Sequence, residues 1–169
     1  IDDLEPAAKA TEIAHATQEH LRINIDKNPR YEKLSERLKE VISSWQSNSL
    51  SDPEAVKVLE KIECEAIEID KAPEKEKMNN AEYAIYISLV EDYNDQIENN
   101  DEARQIARSI IESFEKNIDR SFDNWKVKAE DKIRSMLIRV LFKNNKKSIY
   151  YNSKGFFIDA TEYILENYE

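Results

Sequence analysis

The sequence predicts an all-α protein, a single compact bundle of about six to seven helices. Three observations carry this. Glycine occurs once in 169 residues, at Gly155, while tight β-hairpins and phosphate-cradling loops both depend on glycine. Apolar residues recur at i, i+3, i+4 and i+7 along nearly the whole chain. The punctuation between those stretches, such as Asn28-Pro29, Ser51-Asp52-Pro53-Glu54 and Asn99-Asn100-Asp101, stops and starts helices.

The first helix is predicted from about Leu4 to Ile25. Pro6 suits its first turn, where a missing N–H costs little. Leu4, Ala7, Ala8, Ile13, Ala14, Leu21 and Ile25 form its apolar side. Asn28-Pro29 ends it, because the residue before proline avoids the α region. A second helix runs from about Pro29 to Trp45, with a clean stripe of Tyr31, Leu34, Leu38, Val41, Ile42 and Trp45. Ser43 to Ser51 reads as a polar loop. Ser51 and Glu54 have capping-box spacing and open a third helix to about Asp70. Its buried face is Ala55, Leu59, Ile62, Ala66 and Ile69. Lys71 to Asn80, charged and containing Pro73, reads as a flexible loop.

The fourth helix, about Ala81 to Ile97, is apolar around most of its circumference, which marks a surrounded helix. The fifth follows Asn99-Asn100-Asp101 and buries Ala103, Ile106, Ala107, Ile110, Ile111, Phe114 and Ile118. The sixth, Asp123 to Phe142, places Trp125, Ala129, Ile133, Met136, Leu137, Val140 and Leu141 within roughly 160° of one face. Ile138 and Phe142 fall outside that arc, so its C-terminal end is expected to meet apolar neighbours on two sides. KNNKKS, residues 143–148, reads as a basic loop. A last helix spans Phe157 to about Asn167 and buries Phe157, Ala160, Ile164 and Leu165.

Length and charge bound the function. The whole chain, 1–169, reads as one domain, which at this size buries roughly 70% of the surface of its unfolded chain and needs no staple. One cysteine, Cys64, excludes an internal disulfide framework and suits a reducing compartment. It reads as a small structural residue. No signal peptide is apparent, and no apolar run approaches the roughly 20 residues of a membrane span, so the expected location is the cytoplasm. The chain starts at Ile1 without methionine, as a fragment of a longer protein would. The net charge of −10 is uneven: residues 116–154 carry 11 basic and 4 acidic side chains, a local +7. Lys128, Lys132 and Arg139 form a stripe within about 40° beside the buried face of the sixth helix. Such a block can meet a polyanion or an acidic partner, or neutralise the chain's own acidic helices. The candidate docking or DNA-contact residues are Lys128, Lys132, Arg139, Lys143, Lys146 and Lys147.

No catalytic constellation emerges. There is no P-loop and no His-Glu-x-x-His. His15 and His20, five apart, lie about 140° apart on one helix and read as surface or boundary histidines. Glu130-Asp131-Lys132 matches the Glu-x-Lys of many nucleases, but those groups need strands around a divalent metal.

Several stretches, in order and over nearly the whole chain, resemble one family. They are AAKATEIAHATQEHLRINIDKNPRYEKLSERLKEVI (7–42), EYAIYISLVEDYN (82–94), DEARQIARSIIESFEKNI (101–118), the helix led by Trp125, and ATEYILENYE (160–169). The series resembles the C-terminal helical domain of the restriction (R) subunit of type I restriction–modification enzymes. After Trp125 the family is richer in Arg and Lys, where this chain has Met136, Leu137 and Ile138. The resemblance implies a domain that joins an ATP-driven DNA translocase and endonuclease to its methyltransferase–specificity core. Its partners would be the methyltransferase and specificity subunits, the motor domains of its own chain, and DNA as the alternative contact. It implies no enzyme activity and no cofactor in this stretch, with ATP and Mg expected in upstream domains. An unrelated helical scaffold module is the remaining alternative.

Overall fold

Asparagine does much of the work of starting and turning this chain. Asn28, Asn79 and Asn99 each stand before a helix, and their side-chain oxygens accept from the N–H groups of Arg30, Glu82 and Glu102. That satisfies donors which a helix N-terminus otherwise leaves free. Asn48, Asn124 and Asn145, with Lys77, take left-handed backbone conformations. In a chain with one glycine, asparagine is the next best residue there, because its short polar side chain tolerates that region.

The computed structural model describes residues 5–169, and all regular structure there is helical. The elements are α1 (Pro6–Asn24), α2 (Pro29–Gln46), α3 (Asp52–Lys75), α4 (Asn80–Glu91), α5 (Asn100–Asn117), α6 (Trp125–Lys143), α7 (Lys147–Asn152) and α8 (Lys154–Asn167), with a 3₁₀ turn at Asn94–Gln96. Leu4, expected to open α1, lies outside the described residues. The helices fall into two compact units, Ile1–Lys75 and Glu76–Glu169.

In the first unit α3 packs against both α1 and α2. Ala10, Ile13, Ala14 and Leu21 of α1 meet Tyr31, Leu34 and Leu38 of α2 and Leu59, Ile62 and Ala66 of α3. Ala7 and Ala8 are exposed, so α1 buries a narrower face than its alanines imply. Asp70 ties all three helices: Tyr31 Oη donates to its Oδ1, and His20 Nε2 lies 2.9 Å from its Oδ2. His20 is therefore a boundary residue, while His15 is exposed. Half of the Ser51–Glu54 capping box forms: Glu54 N–H donates to Ser51 Oγ at 3.3 Å, while the Glu54 carboxylate accepts from the Ser51 hydroxyl at 2.8 Å.

Three expectations are corrected here. The loop expected at Lys71–Asn80 is helix as far as Lys75, and Pro73 lies buried inside it. Ile62, Ala66, Ile69 and Pro73 continue one buried stripe at helical spacing. Burial of the proline ring, near a helix end where one lost hydrogen bond matters less, offsets the proline penalty. The loop expected at Ser43–Ser51 is helix as far as Gln46, the end of α2, and the Trp45 indole donates to Asp52 Oδ1 at 2.9 Å. Cys64 is exposed on α3 rather than packed as a small structural residue.

In the second unit α4 is the surrounded helix. Every residue from Tyr83 to Leu89 is buried, and α4 packs against α5 and α8. It ends at Glu91 rather than Ile97. Asp92, Asn94 and Asp95 bond readily to nearby backbone and favour turns over helix interiors. Tyr93 leaves the helix, its ring edge-on to Phe156 at 5.5 Å. Beyond α6, Lys147 and Ser148, expected in the loop, and residues 149–152, unassigned from sequence, form the short α7. The basic loop shrinks to Asn144–Lys146. α8 starts at Lys154 and buries Phe156 and Tyr163 besides Phe157, Ala160 and Ile164, while Leu165 is only half-buried. Among the described residues no helix is long and apolar enough to cross a membrane.

Candidate interaction groove

The basic residues of α6 stand where they do because of what the helix buries. Trp125, Ala129, Ile133, Met136, Leu137, Val140 and Leu141 are its buried residues, the seven that periodicity selects. With that face against α5 and α8, the stripe beside it must run along the rim. Lys128, Lys132 and Arg139 are all exposed.

Two adjoining depressions follow this rim. One, of ≈ 410 Å³, is lined by Ser109, Glu112, Ser113, Lys116 and Asn117 of α5 and by Arg139, Val140 and Lys143 of α6, with Asn144. The other is lined by Asn117, Ile118, Asp131, Lys132, Ser135 and Arg139. Arg139 and Asn117 line both, so the two form one groove between α5 and α6. It presents four cations, Lys116, Lys132, Arg139 and Lys143, against two carboxylates, Glu112 and Asp131. Among the described residues none of these cations has a carboxylate within ion-pair distance. Lys132 acts at longer range. The hydrogen bonds from the Ser121 side chain and N–H, and to a lesser extent the charge of Lys132, hold Asp119 below the usual carboxylate range.

The remaining candidates lie elsewhere. Lys128 sits with its ammonium 5.7 Å from the centre of the Phe122 ring, and Lys147 5.8 Å from that of Phe142. Lys146 is turned inward. Its ammonium pairs with Glu102, both side chains mostly buried at 16% and 22% exposed, and it donates to the Gln96 carbonyl at 3.3 Å. It braces the loop after α6 against the start of α5. Sequence reasoning therefore placed six lysines and arginines on one footing that the fold separates into three environments.

It also missed the α5 half of the groove. Ser109, Ser113 and Lys116, spaced i, i+4 and i+7, form a polar line beside the apolar face of α5. That signal was available, but only the packing of α5 on α6 gives it meaning. Glu130, Asp131 and Lys132 all lie on α6. Glu130 and Lys132, two apart on a helix, point about 160° from each other, so the Glu-x-Lys spacing does not bring a carboxylate and an ammonium together here. Among the described residues no three His, Cys, Asp or Glu side chains are grouped to hold a metal ion.

Fold and groove together define an all-helical chain whose second unit carries a cationic cleft. Residues 10–165 match the family described as type I restriction enzyme HindI endonuclease subunit-like, C-terminal. The chain belongs to that family. No curated protein and no solved structure matches it.

Proposed function

We propose that this chain is the assembly domain of a type I restriction endonuclease subunit, docking it onto the methyltransferase–specificity core through the α5–α6 groove. One observation carries the reading: Lys116, Lys132, Arg139 and Lys143 line an open groove and, among the described residues, none of them has an ion-pair partner, whereas Lys9, Arg37, Arg104 and Lys146 are each paired with a carboxylate. Cations that line one cleft without ion pairs of their own are available to a partner. They suit a carboxylate-bearing protein surface, with serine and asparagine groups to fix its register.

The test is a Lys132→Gln/Arg139→Gln/Lys143→Gln variant mixed with the methyltransferase–specificity core. Affinity for the core should fall roughly tenfold or more, with the fold intact. Normal assembly would defeat the role of the groove. The alternative, a sequence-independent grip on duplex phosphates, would instead show as duplex binding whose log K falls steeply with log salt, by about 0.9 per phosphate contact. The domain itself carries no reaction in this reading. Magnesium-dependent nicking of DNA that disappeared on Glu130→Ala would overturn that.

A further inference from the structure

Beyond the groove, the C-terminal end of α6 and the short α7 bring aromatic rings and lysines to one surface. Phe142 and Tyr150 are half-buried, and Tyr151 is 65% exposed, the most exposed aromatic ring among the large apolar side chains. The three rings touch: Tyr150 and Tyr151 lie 5.0 Å apart at 74°, Phe142 and Tyr150 5.7 Å at 68°. Tyr151 is thus held edge-to-face by Tyr150 and tilted against Phe142, 6.5 Å away, while most of it meets solvent. Residues 143–154 contain four lysines and no carboxylate. Lys146 is spent on Glu102. Lys147 and Lys154 are exposed, and among the described residues neither has an ion-pair partner.

An exposed ring packed on other rings, with the Lys147 ammonium 5.8 Å from the centre of neighbouring Phe142 and exposed Lys154 three residues on in the chain, is complementary to a ligand with flat π-faces and regularly spaced negative charge. A single-stranded nucleic acid has both, whereas the bases of a duplex are already stacked and offer their edges. An acidic peptide has the charge but nothing for the ring. We propose that Tyr151, with Lys147 and Lys154, forms a stacking site for single-stranded nucleic acid. The site uses none of the groove residues and stands whether or not the groove docks a partner.

The experiment measures binding of fluorescent oligothymidylate to the 169-residue chain by anisotropy across a salt series. A duplex of equal length and polyglutamate serve as competitors. Oligothymidylate should bind, and each competitor should displace it poorly. Tyr151→Ala should weaken binding roughly 5- to 100-fold, as expected for losing one stacked base. Tyr151→Phe should keep it, because the ring and not the hydroxyl is used. Lys147→Gln/Lys154→Gln should reduce the slope of log K against log salt by about 0.7 for each lost phosphate contact. Absence of binding, unchanged binding by Tyr151→Ala, or displacement by polyglutamate or duplex as effective as by oligothymidylate would each overturn the proposal.

Discussion

The Tyr93 hydroxyl donates to Asp159 Oδ2 at 2.7 Å and joins the turn after α4 to the middle of α8. Gly155, the chain's only glycine, lies under that hydroxyl: a Cβ there would stand 2.9 Å from Tyr93 Oη. Alanine at a helical position normally gains about 0.5–1 kcal/mol over glycine. Here it must displace an oxygen pinned by Asp159. Gly155→Ala should therefore destabilise by about 1 kcal/mol, and Tyr93→Phe by about 1–2 kcal/mol through the lost bond. In the Tyr93→Phe background, Gly155→Ala should become neutral or stabilising. A chemical-denaturation double-mutant cycle reads this, and strict additivity would rule out the steric account.

The same hydroxyl sets a limit in alkali. Burial, then the bond to Asp159, pushes Tyr93 well above the ordinary tyrosine range. Tyr168 is raised likewise, by burial and by its bond to Glu115 at 2.7 Å. A raised pKa in the fold means that the neutral form is the favoured one. Its contribution is complete below the unfolded value, about pH 10, and is lost as pH climbs toward the folded value. Urea midpoints should decline above about pH 10, and the decline should be shallower in Tyr93→Phe.

Lys77 adopts φ 57 just past the end of α3, the position where helices favour glycine or asparagine. Among the described residues the other three left-handed non-glycine positions are all asparagine. Lys77 is exposed, so replacing it sacrifices no packing. Lys77→Gly or Lys77→Asn should raise stability by about 0.5–1 kcal/mol. A thermal melt that moved downward would show that the lysine side chain serves some purpose there.

Lys146 and Lys147 are adjacent but should behave differently. Removing Lys146 leaves Glu102 and the Gln96 carbonyl without their partner in a mostly buried setting, at a cost of about 1–3 kcal/mol. Lys147 is exposed, and Lys147→Ala should stay within about 0.5 kcal/mol of the parent. Equal effects in urea titrations would contradict the inward placement of Lys146.

Leu137 and Arg139 separate the two sides of α6. Leu137 is fully buried, and Leu137→Ala should cost about 2–5 kcal/mol. Arg139→Gln on the rim should cost under about 0.5 kcal/mol. A loss under 0.5 kcal/mol for Leu137→Ala would mean that the helix presents a different face to the core.

What the sequence made legible is what local periodicity encodes. The buried faces of α5 and α6 follow from spacing alone, because each helix has one apolar side and one polar side. The errors fall where a tertiary contact outweighs a local rule. Pro73 breaks helices by habit, yet its ring continues the α3 stripe. Tyr93 looked like another residue of α4 until Asp159 and Phe156 drew it out. The groove was half legible: Lys132 and Arg139 align on α6, but their distance from any carboxylate depends on which face of α5 lies opposite. Lys146 could not be told from Lys147 by sequence, because its partners Glu102 and Gln96 lie more than forty positions away.

The burial of α4 on all sides has a consequence for synthesis. α5 follows it closely in the chain, but α8, which covers it from another direction, is translated much later; the Tyr93–Asp159 bond alone spans 66 positions. Until Phe156 and Ile164 have left the ribosome, one flank of the most apolar helix has no cover. During that interval the nascent chain carries a sticky segment that invites chaperones or neighbouring polypeptides. Premature stops between α6 and α8 should therefore yield insoluble product and not a shortened, otherwise normal domain.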